Sequence, residues 1–299
     1  MKMVGTARRC AFAHPASVPR TGAAEVRRKM PETDKLFAGS IPENYDRHMV
    51  PLIFEGFADD LARRVAALAP RAVLETAAGS GAVTRALAAR LSPQASYVVT
   101  DLNQPMLDHA AGRQAADRRI SWRKADALAL PFDDRAFDVV CCQFGVMFFP
   151  DRVAGYREAR RVLKPGGHFV FNVWDRIEDN VFADDVTRAL AGLFPDDPPR
   201  FLARTPHGYH DRALIAAELK QASFSGVSIE TRSDQSRASS PRHPAVAYCQ
   251  GTPLRNEIEA RDPAGLETAT DHAAAEIARR HGEGEVTAKI QALVVVATA

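Results

Sequence analysis

The feature that most constrains the fold is a regular alternation of short apolar runs with helical patterns between residues 72 and 174. Five apolar runs have the character of buried strands, and the segments between them have the apolar spacing of helices. The runs lie at 72–76, 97–100, 120–123, 137–142 and 168–174. Continuous apolar strands separated by helices are typical of a parallel sheet that is buried on both faces. Right-handed crossovers then predict a doubly wound α/β sheet, with ligands bound at the carboxyl ends of its strands.

The chain before this alternation divides into two parts. Residues 1–40 are interpreted as a disordered N-terminal extension, because the first 30 residues contain seven Lys or Arg and one acid. A transit peptide and a translation start near Met30 are the alternatives for this basic stretch. Residues 41–174 form the predicted core, which begins with a helical pattern over 44–69. Pro51 and Gly56 are expected to break that helix.

The chain after residue 174 is less regular. Residues 175–299 are predicted to supply the remaining strands, at 227–231 and 292–297, together with a cap. The connection between those strands is too long for a simple loop, so we place cap segments at about 175–210 and 232–285. The complete prediction is a seven-stranded, mostly parallel sheet with helices on both faces and a helical cap over the carboxyl ends of the strands.

Composition favours a small-molecule ligand. Lys and Arg total 39 against 37 Asp and Glu, so the chain lacks the basic excess that is typical of nucleic-acid binding. The four cysteines have no CxxC spacing, which argues against a zinc site or disulfide framework and favours a reducing cytoplasm. We expect no metal site and no membrane span, because no apolar stretch approaches the ~20 residues that a span needs. A homodimer is compatible with the sequence, which does not specify an oligomeric state.

Four motifs follow the ends of the predicted strands in order. The turn from Glu75 to Gly81 contains two glycines, which allow the backbone to pass close to a ligand. Asp101 ends the second strand, where a carboxylate accepts hydrogen bonds from a ribose diol. Asp126 ends the third strand, where an acid can accept from an adenine amino group; by itself, a helix cap or turn acid is the alternative. The fourth motif, at 163–169, contains a Pro-Gly-Gly turn.

As a set, these motifs resemble the class I S-adenosylmethionine (SAM)-dependent methyltransferases, in particular the subfamily of ubiquinone and menaquinone biosynthesis. The matching segments are Val73–Gly81, Val99–Leu102, Ala125–Phe132, Phe137–Val140 and Leu163–Phe169. The resemblance implies a Rossmann-like fold with SAM as cofactor. A dinucleotide-dependent oxidoreductase fits less well, because Thr84 occupies the position of the third glycine in the Gly-x-Gly-x-x-Gly fingerprint.

The resemblance also implies how the cofactor is held. Glu75 and the loop of Ala77, Gly79, Ser80 and Gly81 would bind the methionine part, and Asp101 the ribose. The remaining expected contacts are with the adenine, from Leu102, Met106, Asp126 and Ala127, and with the sulfonium side, from Gln143 and Phe144. The family has glycine at the position of Ala77. Alanine is expected to be tolerated there with a negative φ and to weaken binding only slightly.

The family imposes no fixed catalytic residue, because the donor is already activated and alignment supplies much of the catalysis. The catalytic residue is therefore unassigned, and His48, His207 and His210 are the candidates for a base. The residues expected to bind the acceptor are Tyr45, Phe148, Trp174, His207 and Tyr209. These aromatic side chains favour a small apolar or aromatic acceptor, such as a quinone or polyketide-like metabolite, methylated on oxygen or carbon.

Other functions remain open at this point. Residues 143–146 lack the Asn/Asp-Pro-Pro-aromatic run of enzymes that methylate planar nitrogens, which argues against adenine and glutamine amides. Methylation of RNA or protein would require a basic face or a dedicated binding domain. A SAM-binding protein without catalytic activity would be indicated by a damaged cofactor motif, and only Ala77 departs from the motif here.

Overall fold

The structure is a computed structural model that describes Met1 and residues 45–299. The predicted extension at 1–40 therefore lies, except for Met1, outside the described residues. The strands are β1 (Ala72–Glu75), β2 (Ser96–Asp101), β3 (Ile120–Lys124), β4 (Phe137–Gln143), β5 (Leu163–Trp174), β6 (Ser225–Ala238) and β7 (Val286–Thr298).

Helices surround the sheet. The α-helices of the core are α1 (Glu55–Ala67), α2 (Ala82–Ala88), α3 (Gln104–Arg113) and α4 (Arg152–Val162). Those that follow β5 are α5 (Val181–Leu193), α6 (Phe201–Arg204), α7 (Arg212–Gln221), α8 (Arg242–Gln250), α9 (Leu254–Arg261) and α10 (Leu266–His281). A π-helix at Tyr45–Phe54 precedes α1, and short 3-10 turns lie at Val146–Phe148 and Ile177–Asp179.

The seven strands form one sheet in the order β3-β2-β1-β4-β5-β7-β6. Neighbouring strands from β3 through β5 are parallel, whereas β7 is antiparallel to both β5 and β6. The strand order reverses between β1 and β4, which is where open α/β sheets form a ligand crevice. This topology confirms the predicted doubly wound, mostly parallel sheet.

Side chains alternate between two apolar clusters, one on each face of the sheet. Val139 and Cys141 face one cluster, while Val140 and Cys142 face the other. Helices α1, α2 and α3 cover the first face, and α4 and the helices after β5 cover the second. Because the pleat sends successive side chains to opposite faces, a strand covered on both faces needs the continuous apolar run seen in the sequence.

The helix that starts at Tyr45 differs from its prediction. The backbone passes through Pro51 in π-helical form and changes to α-helix at Glu55, so Pro51 does not end the helix. Gly56 is not a break either. A Cβ at Gly56 would lie 2.5 Å from Oδ2 of Asp234, so glycine at this position allows α1 to approach β6.

Strand β6 is also longer than predicted. It continues to Ala238, pairing with β7 along its length, so the second cap segment begins after β6 and not at residue 232. The polar residues 232–237 are tolerated because β6 is an edge strand with an exposed face. The Pro-Gly-Gly turn likewise lies inside β5, as a register shift between its pairings at Leu163 and His168.

Asp138 ties the start of β1 to β4, at the edge of the sheet opposite the ligand crevice. Its Oδ2 accepts from the backbone N–H groups of Arg71 and Ala72, both at 2.8 Å, and its Oδ1 accepts from Nζ of Lys164 at 2.7 Å. Partial burial works to raise the pKa of Asp138. Lys164 and the two backbone amides outweigh burial and hold that pKa below its ordinary value.

Replacing Asp138 by alanine is expected to lower the free energy of unfolding by about 1–3 kcal/mol, since two backbone donors lose a charged acceptor. The lowered pKa means that this contribution is complete above pH ~4 and is lost as the pH falls further. Urea denaturation at pH 7 and pH 3 measures both effects. Asp133→Ala, at an exposed position, is the control and should change little. Equal midpoints for wild type and Asp138→Ala at pH 7 would contradict the assignment.

Candidate functional site

A cavity of about 190 Å³ opens at the carboxyl ends of β1, β2 and β4. The turns after these strands supply most of its wall, and the π-helix supplies Tyr45. The lining residues are Tyr45, Ala77, Gly79, Asp101, Leu102, Asn103, Met106, Ala125, Asp126, Ala127, Leu128, Gln143, Phe144, Gly145, Phe148, Phe149 and Pro150. Of the twelve predicted cofactor residues, nine line this cavity. We call it the cofactor cavity.

The glycine-rich turn after β1 adopts left-handed backbone at three positions. Ala77 has φ +53°, Gly79 has φ +56° and Gly81 has φ +79°. The expectation of a negative φ at Ala77 is therefore wrong. Left-handed backbone costs an L-residue about 1–2 kcal/mol, so Ala77 is strained where a glycine would not be.

The side chain of Ala77 leaves no room for a Cβ at residue 145. A Cβ at Gly145 would lie 2.5 Å from Cβ of Ala77 and 2.7 Å from Sγ of Cys142. Both distances are far below van der Waals contact, so the turns after β1 and β4 approach each other only because residue 145 is glycine. This approach brings both turns to one wall of the cofactor cavity.

Asp101 is held in the cavity wall by backbone donors. Its Oδ2 accepts from the N–H of Gly79 at 2.9 Å, and its Oδ1 accepts from the N–H of Asn103 at 2.8 Å. Burial raises the pKa of the carboxyl above its ordinary value, although these backbone hydrogen bonds oppose the rise. A carboxylate has about four acceptor positions, so each oxygen still has capacity for a ligand hydroxyl.

The cofactor cavity suits a ligand that is cationic at one end. Its charged lining residues are Asp101 and Asp126, and the described lining contains no Lys, Arg or His. Oε1 of Gln143 is buried without a hydrogen-bond partner in the described structure, while its Nε2 donates to the carbonyl of Phe54 at 3.4 Å. A buried acceptor without a partner is costly. A ligand donor such as an ammonium group would satisfy it.

The opposite end of the cavity is more apolar. Leu102 is 48% exposed, and the buried Met106 lies near Gly79. Asp126 accepts from the N–H of Leu128 at 2.9 Å, which fixes the turn after β3. The side chains of Leu102 and Met106 can pack on a flat heterocycle, and the carboxylate of Asp126 beside Ala127 can contact its polar edge.

Three predicted cofactor residues do not line the cavity. Glu75 is buried with its carboxylate accepting from Oγ1 of Thr84 at 2.7 Å and from the hydroxyl of Tyr97. Ser80 is also buried, and its carbonyl accepts from Arg85 at 2.7 Å. A Cβ at Gly81 would lie 3.0 Å from Cβ of Ala110, so this glycine packs against α3. The three residues therefore have these structural contacts, and their expected contacts with the cofactor stay predictions.

A second, smaller cavity of about 50 Å³ lies between the sheet and the helices after β5. Its wall is mostly apolar and aromatic. The lining residues are Tyr45, Met49, Ile53, Phe54, Phe144, Phe148, Trp174, Phe201, Leu202, Pro206, His207, Tyr248, Thr252 and Pro253. Tyr45, Phe144 and Phe148 line both cavities, so the two are adjacent. We call this second space the apolar cavity.

Phe144 lies between the two cavities. Its ring stacks on that of Trp174, with centroids 3.8 Å apart and planes 8° apart. The backbone of Phe144 is left-handed, with φ +50°, and its N–H donates to Asn172. This turn directs the ring away from the sheet at the end of β4, so that it borders both spaces.

His207 is the lining residue of the apolar cavity that ordinarily titrates near neutral pH. Its Nδ1 lies 2.9 Å from the carbonyl of Asp175, which can only accept, so Nδ1 carries the proton. Burial is the main cause that lowers the pKa of His207 to about 4. The ring is therefore neutral at physiological pH, with an acceptor lone pair on Nε2. Among the described residues, no hydrogen bond reaches Nε2.

Tyr209 lines neither cavity, and its predicted contact with the acceptor stays a prediction. Its hydroxyl lies 3.0 Å from that of Tyr156 and donates to Glu218 at 2.7 Å, and Arg152 lies over its ring. This buried network anchors the loop that holds His207.

The other base candidates lie outside the two cavities. The ring of His48 packs against His243 on the outer side of the π-helix. His210 is exposed, and its Nδ1 lies 2.8 Å from the carbonyl of His207. Neither position faces a space that adjoins the cofactor cavity, so His207 is the remaining histidine among the three candidates.

Sequence reasoning missed much of the apolar cavity. Met49, Ile53 and Phe201 line this cavity and are not among the residues that the sequence indicated for binding the acceptor. Tyr248, Thr252 and Pro253 come from the end of α8, in a segment with mostly polar residues. No motif in the sequence indicates that this segment meets β4 and β5.

The described chain shows neither a membrane-crossing helix nor a metal site. None of its helices is both long and apolar enough to cross a bilayer. Within the same residues, no group of three or more His, Cys, Asp or Glu side chains is arranged to hold a metal ion.

The fold and the lining of the cofactor cavity are those of a doubly wound α/β protein whose cavity, at the carboxyl ends of the strands, suits a nucleoside with a cationic end. Residues 73–167 match the family described as "Methyltransferase domain". A demethylmenaquinone methyltransferase of Clavibacter sepedonicus is 42% identical over 174 residues, which cover 55% of this chain and 70% of that protein. The chain belongs to the SAM-dependent methyltransferases.

Further comparisons agree with this family. A ubiquinone/menaquinone biosynthesis C-methyltransferase of Dinoroseobacter shibae is 32% identical over 180 residues, which cover 54% of this chain and 70% of that protein. The crystal structure of a Bacillus halodurans protein described as a methyltransferase has a TM-score of 0.51 at 20% identity, covering 80% of this chain and 97% of that one. At that identity the likeness shows the fold. The cofactor is SAM, in agreement with the resemblance seen in the sequence.

Replacing Ala77 by glycine is expected to raise the free energy of unfolding by about 0.5–1 kcal/mol. The gain from relieving the left-handed strain exceeds the extra chain entropy that glycine loses on folding. Ala78 is the matched control, because it adjoins Ala77 and does not have a positive φ. Ala78→Gly should therefore destabilise the protein. Thermal and urea denaturation measure the change in the free energy of unfolding, which should be positive for Ala77→Gly and negative for Ala78→Gly. A loss of stability in both variants would contradict the strain at Ala77.

Proposed function

We propose that the protein methylates a small, planar, apolar acceptor of the quinone type that carries a hydroxyl group. The methyl group is transferred to a ring carbon or to the oxygen of a ring hydroxyl. The observation that supports this most directly is the apolar cavity beside the cofactor cavity. Its aromatic wall suits a flat ring, and the three shared residues place that ring next to the cofactor. A single neutral histidine in this wall suits one hydroxyl on the ring.

The names of the relatives support the same acceptor class. The relatives described above are a demethylmenaquinone methyltransferase and a C-methyltransferase of ubiquinone and menaquinone biosynthesis. The matched segments cover a little over half of this chain. The residues of the apolar cavity that come from α6 and α8 all follow the family match at 73–167, so we expect the chain's own segment after β5 to determine how the acceptor fits.

The proposed cofactor contacts follow the cavity wall. Asp101 would accept from the two ribose hydroxyls, and Leu102 and Met106 would enclose the adenine. Asp126 and Ala127 would contact the adenine edge. Oε1 of Gln143 would accept from the ammonium of the methionine part, which would satisfy its buried, unpartnered oxygen.

The chain's contribution to the reaction is chiefly alignment and exclusion of water. When bound, SAM supplies an electrophilic methyl group on a positively charged sulfur. Phe144 is placed by its stacking on Trp174 to hold the acceptor ring against the boundary between the two cavities. Tyr45 closes the same boundary from the π-helix, and burial, followed by the charges of Asp101 and Asp46, raises its pKa. Its hydroxyl therefore stays neutral and is not a base.

His207 is proposed to orient the acceptor by accepting a hydrogen bond from its hydroxyl group. Methyl transfer would form a bond from the methyl carbon to the acceptor atom and break the carbon–sulfur bond, which would leave S-adenosylhomocysteine. The acceptor would release one proton, which would pass to solvent water. Nε2 of His207 is free to accept from the ring hydroxyl, which increases electron density on the ring. Because the pKa of His207 is only about 4, the residue acts as a hydrogen-bond acceptor and does not retain the proton.

Two rival functions find less support. A non-catalytic SAM-binding protein would have no reason to keep an apolar cavity open beside the cofactor cavity. RNA or protein methylation would require an open approach to the cofactor, whereas residues of the π-helix, α6 and α8 enclose the adjoining cavity.

The cofactor contacts predict a specific loss of affinity. Asp101→Ala is expected to weaken binding of SAM and S-adenosylhomocysteine by about tenfold to a hundredfold, since a charged hydrogen-bond acceptor contributes about 1.5–3 kcal/mol. Isothermal titration calorimetry measures both ligands, with NAD as the negative ligand. Asp108→Ala, on the exposed side of α3, is the matched control and should bind as wild type does. Unchanged affinity in Asp101→Ala would remove Asp101 from the proposed site.

The acceptor class is tested by incubating the protein with SAM and a panel of hydroxylated quinols, simple phenols, RNA and peptides. We expect one added methyl group on a quinol, detected by mass spectrometry, and none on RNA or peptide. His207→Phe should lower kcat/KM for the quinol by about tenfold to a hundredfold, and His207→Gln should retain more activity because its amide oxygen still accepts.

Two readouts separate this role from a structural one. The affinity of His207→Phe for S-adenosylhomocysteine should equal that of wild type, and His272→Phe, at an exposed position on α10, should leave kcat/KM unchanged. Full activity in His207→Phe would exclude the proposed role of His207. Methylation of RNA or peptide without methylation of any quinol would overturn the proposed acceptor class.

A further inference from the structure

A separate pocket of about 400 Å³ lies on the outer side of the π-helix and α8. It is lined by Arg47, His48, Ser239, Ser240, Arg242, His243 and Val246. The same two helices line the apolar cavity from their inner side, through Met49 and Tyr248. The outer pocket is therefore distinct from both cavities and shares no residue with either.

The outer pocket is rich in positive charge and contains no acidic lining residue in the described structure. Arg47 is exposed and forms no hydrogen bond or ion pair with any described residue, although it also borders a neighbouring pocket that contains Asp46 and Glu55. Arg242 differs, because Asp271 and Glu267 of α10 already neutralise it. The permanent positive charge available to a ligand therefore comes from Arg47, and the two histidines add ring nitrogens to the same wall.

The two histidines lie side by side in this pocket. The ring centroids of His48 and His243 are 5.3 Å apart, and Nε2 of His243 donates to the carbonyl of His48 at 3.3 Å. Burial lowers the pKa of His48, and repulsion from His243 and Arg47 lowers it further. None of the causes of this shift is an acidic residue, and no carboxylate belongs to the described lining of the pocket. An external anion would relieve the repulsion.

Hydroxyl donors complete the pocket. Ser239 and Ser240 connect β6 to α8, and the side-chain hydroxyl of neither residue is hydrogen-bonded within the described structure. Positively charged groups together with free hydroxyl donors suit a tetrahedral oxyanion, since its oxygens accept several hydrogen bonds at once.

We propose that the outer pocket binds a phosphate group, with Arg47 supplying charge, the imidazole rings of His48 and His243 lining the site, and Ser239 and Ser240 supplying hydroxyl donors. The phosphate belongs either to a small organophosphate or to the headgroup of an anionic lipid. The site does not depend on which acceptor is methylated.

The test is a titration with inorganic phosphate at constant ionic strength, followed by the ring C–H signals of His48 and His243 in NMR spectra. The signals are assigned with His48→Gln and His243→Gln. We expect saturable shifts of both signals and a rise in the pKa of His48. Arg47→Ala should weaken phosphate binding about tenfold, which is the loss expected for a charged hydrogen-bond donor.

Arg157→Ala is the matched control, because Arg157 is exposed on α4 and forms no ion pair with a described residue. It should bind phosphate as wild type does. Both arginine variants should retain their affinity for S-adenosylhomocysteine, which also shows that they fold. Shifts that do not saturate, or shifts of equal size in wild type and Arg47→Ala, would overturn the proposal.

Sedimentation with vesicles distinguishes the two sources of the phosphate. Vesicles of phosphatidylcholine with phosphatidylglycerol should bind the wild type better than Arg47→Ala if the natural ligand is a lipid headgroup. Phosphate binding without vesicle binding supports a small organophosphate. Absence of both phosphate and vesicle binding would refute the site.

Discussion

Both cavities depend on the conformation of Phe144 at the end of β4. Its N–H donates to both the carbonyl and the side-chain oxygen of Asn172 on β5, at 3.1 and 3.0 Å, while its ring stacks on Trp174. Because β4 and β5 are adjacent parallel strands, their carboxyl ends coincide and these three residues meet. The resulting left-handed turn sends the chain through Gly145 into the wall of the cofactor cavity and leaves the ring facing the apolar cavity.

Electrostatics divides the ligand-binding regions according to what each can bind. The cofactor cavity has carboxylates and an unpartnered amide oxygen, so it favours a cation. The apolar cavity has a histidine that burial keeps neutral, so it favours an uncharged ring. Among the described residues, the outer pocket is lined by basic side chains and by no acidic one, so it favours an anion. Unsatisfied polar groups cost stability in a folded protein, and a ligand that pairs with them recovers that cost.

Some motif residues support the site without facing it. Glu75 belongs to the motif that resembles the family, yet its carboxylate joins β1 to β2 and α2 through Tyr97 and Thr84. Burial is the main cause that raises its pKa to about 7. Tyr209 similarly anchors the His207 loop through Glu218. The sequence pattern indicates that such residues have a role near the site. It does not distinguish a structural role from a ligand-binding role, because both produce the same pattern.

The sequence by itself determined the α/β class, the parallel core from residue 72 to 174 and the position of Asp101 at a strand end. These follow from local periodicity and from turns that a short segment specifies on its own. Only the tertiary structure decided that β6 extends through polar residues as an edge strand, that Ala77 is left-handed, and that α8 closes the apolar cavity with Tyr248. Each of these depends on contacts between residues distant in sequence, and burial, strain and cavity walls exist only once those residues have packed together.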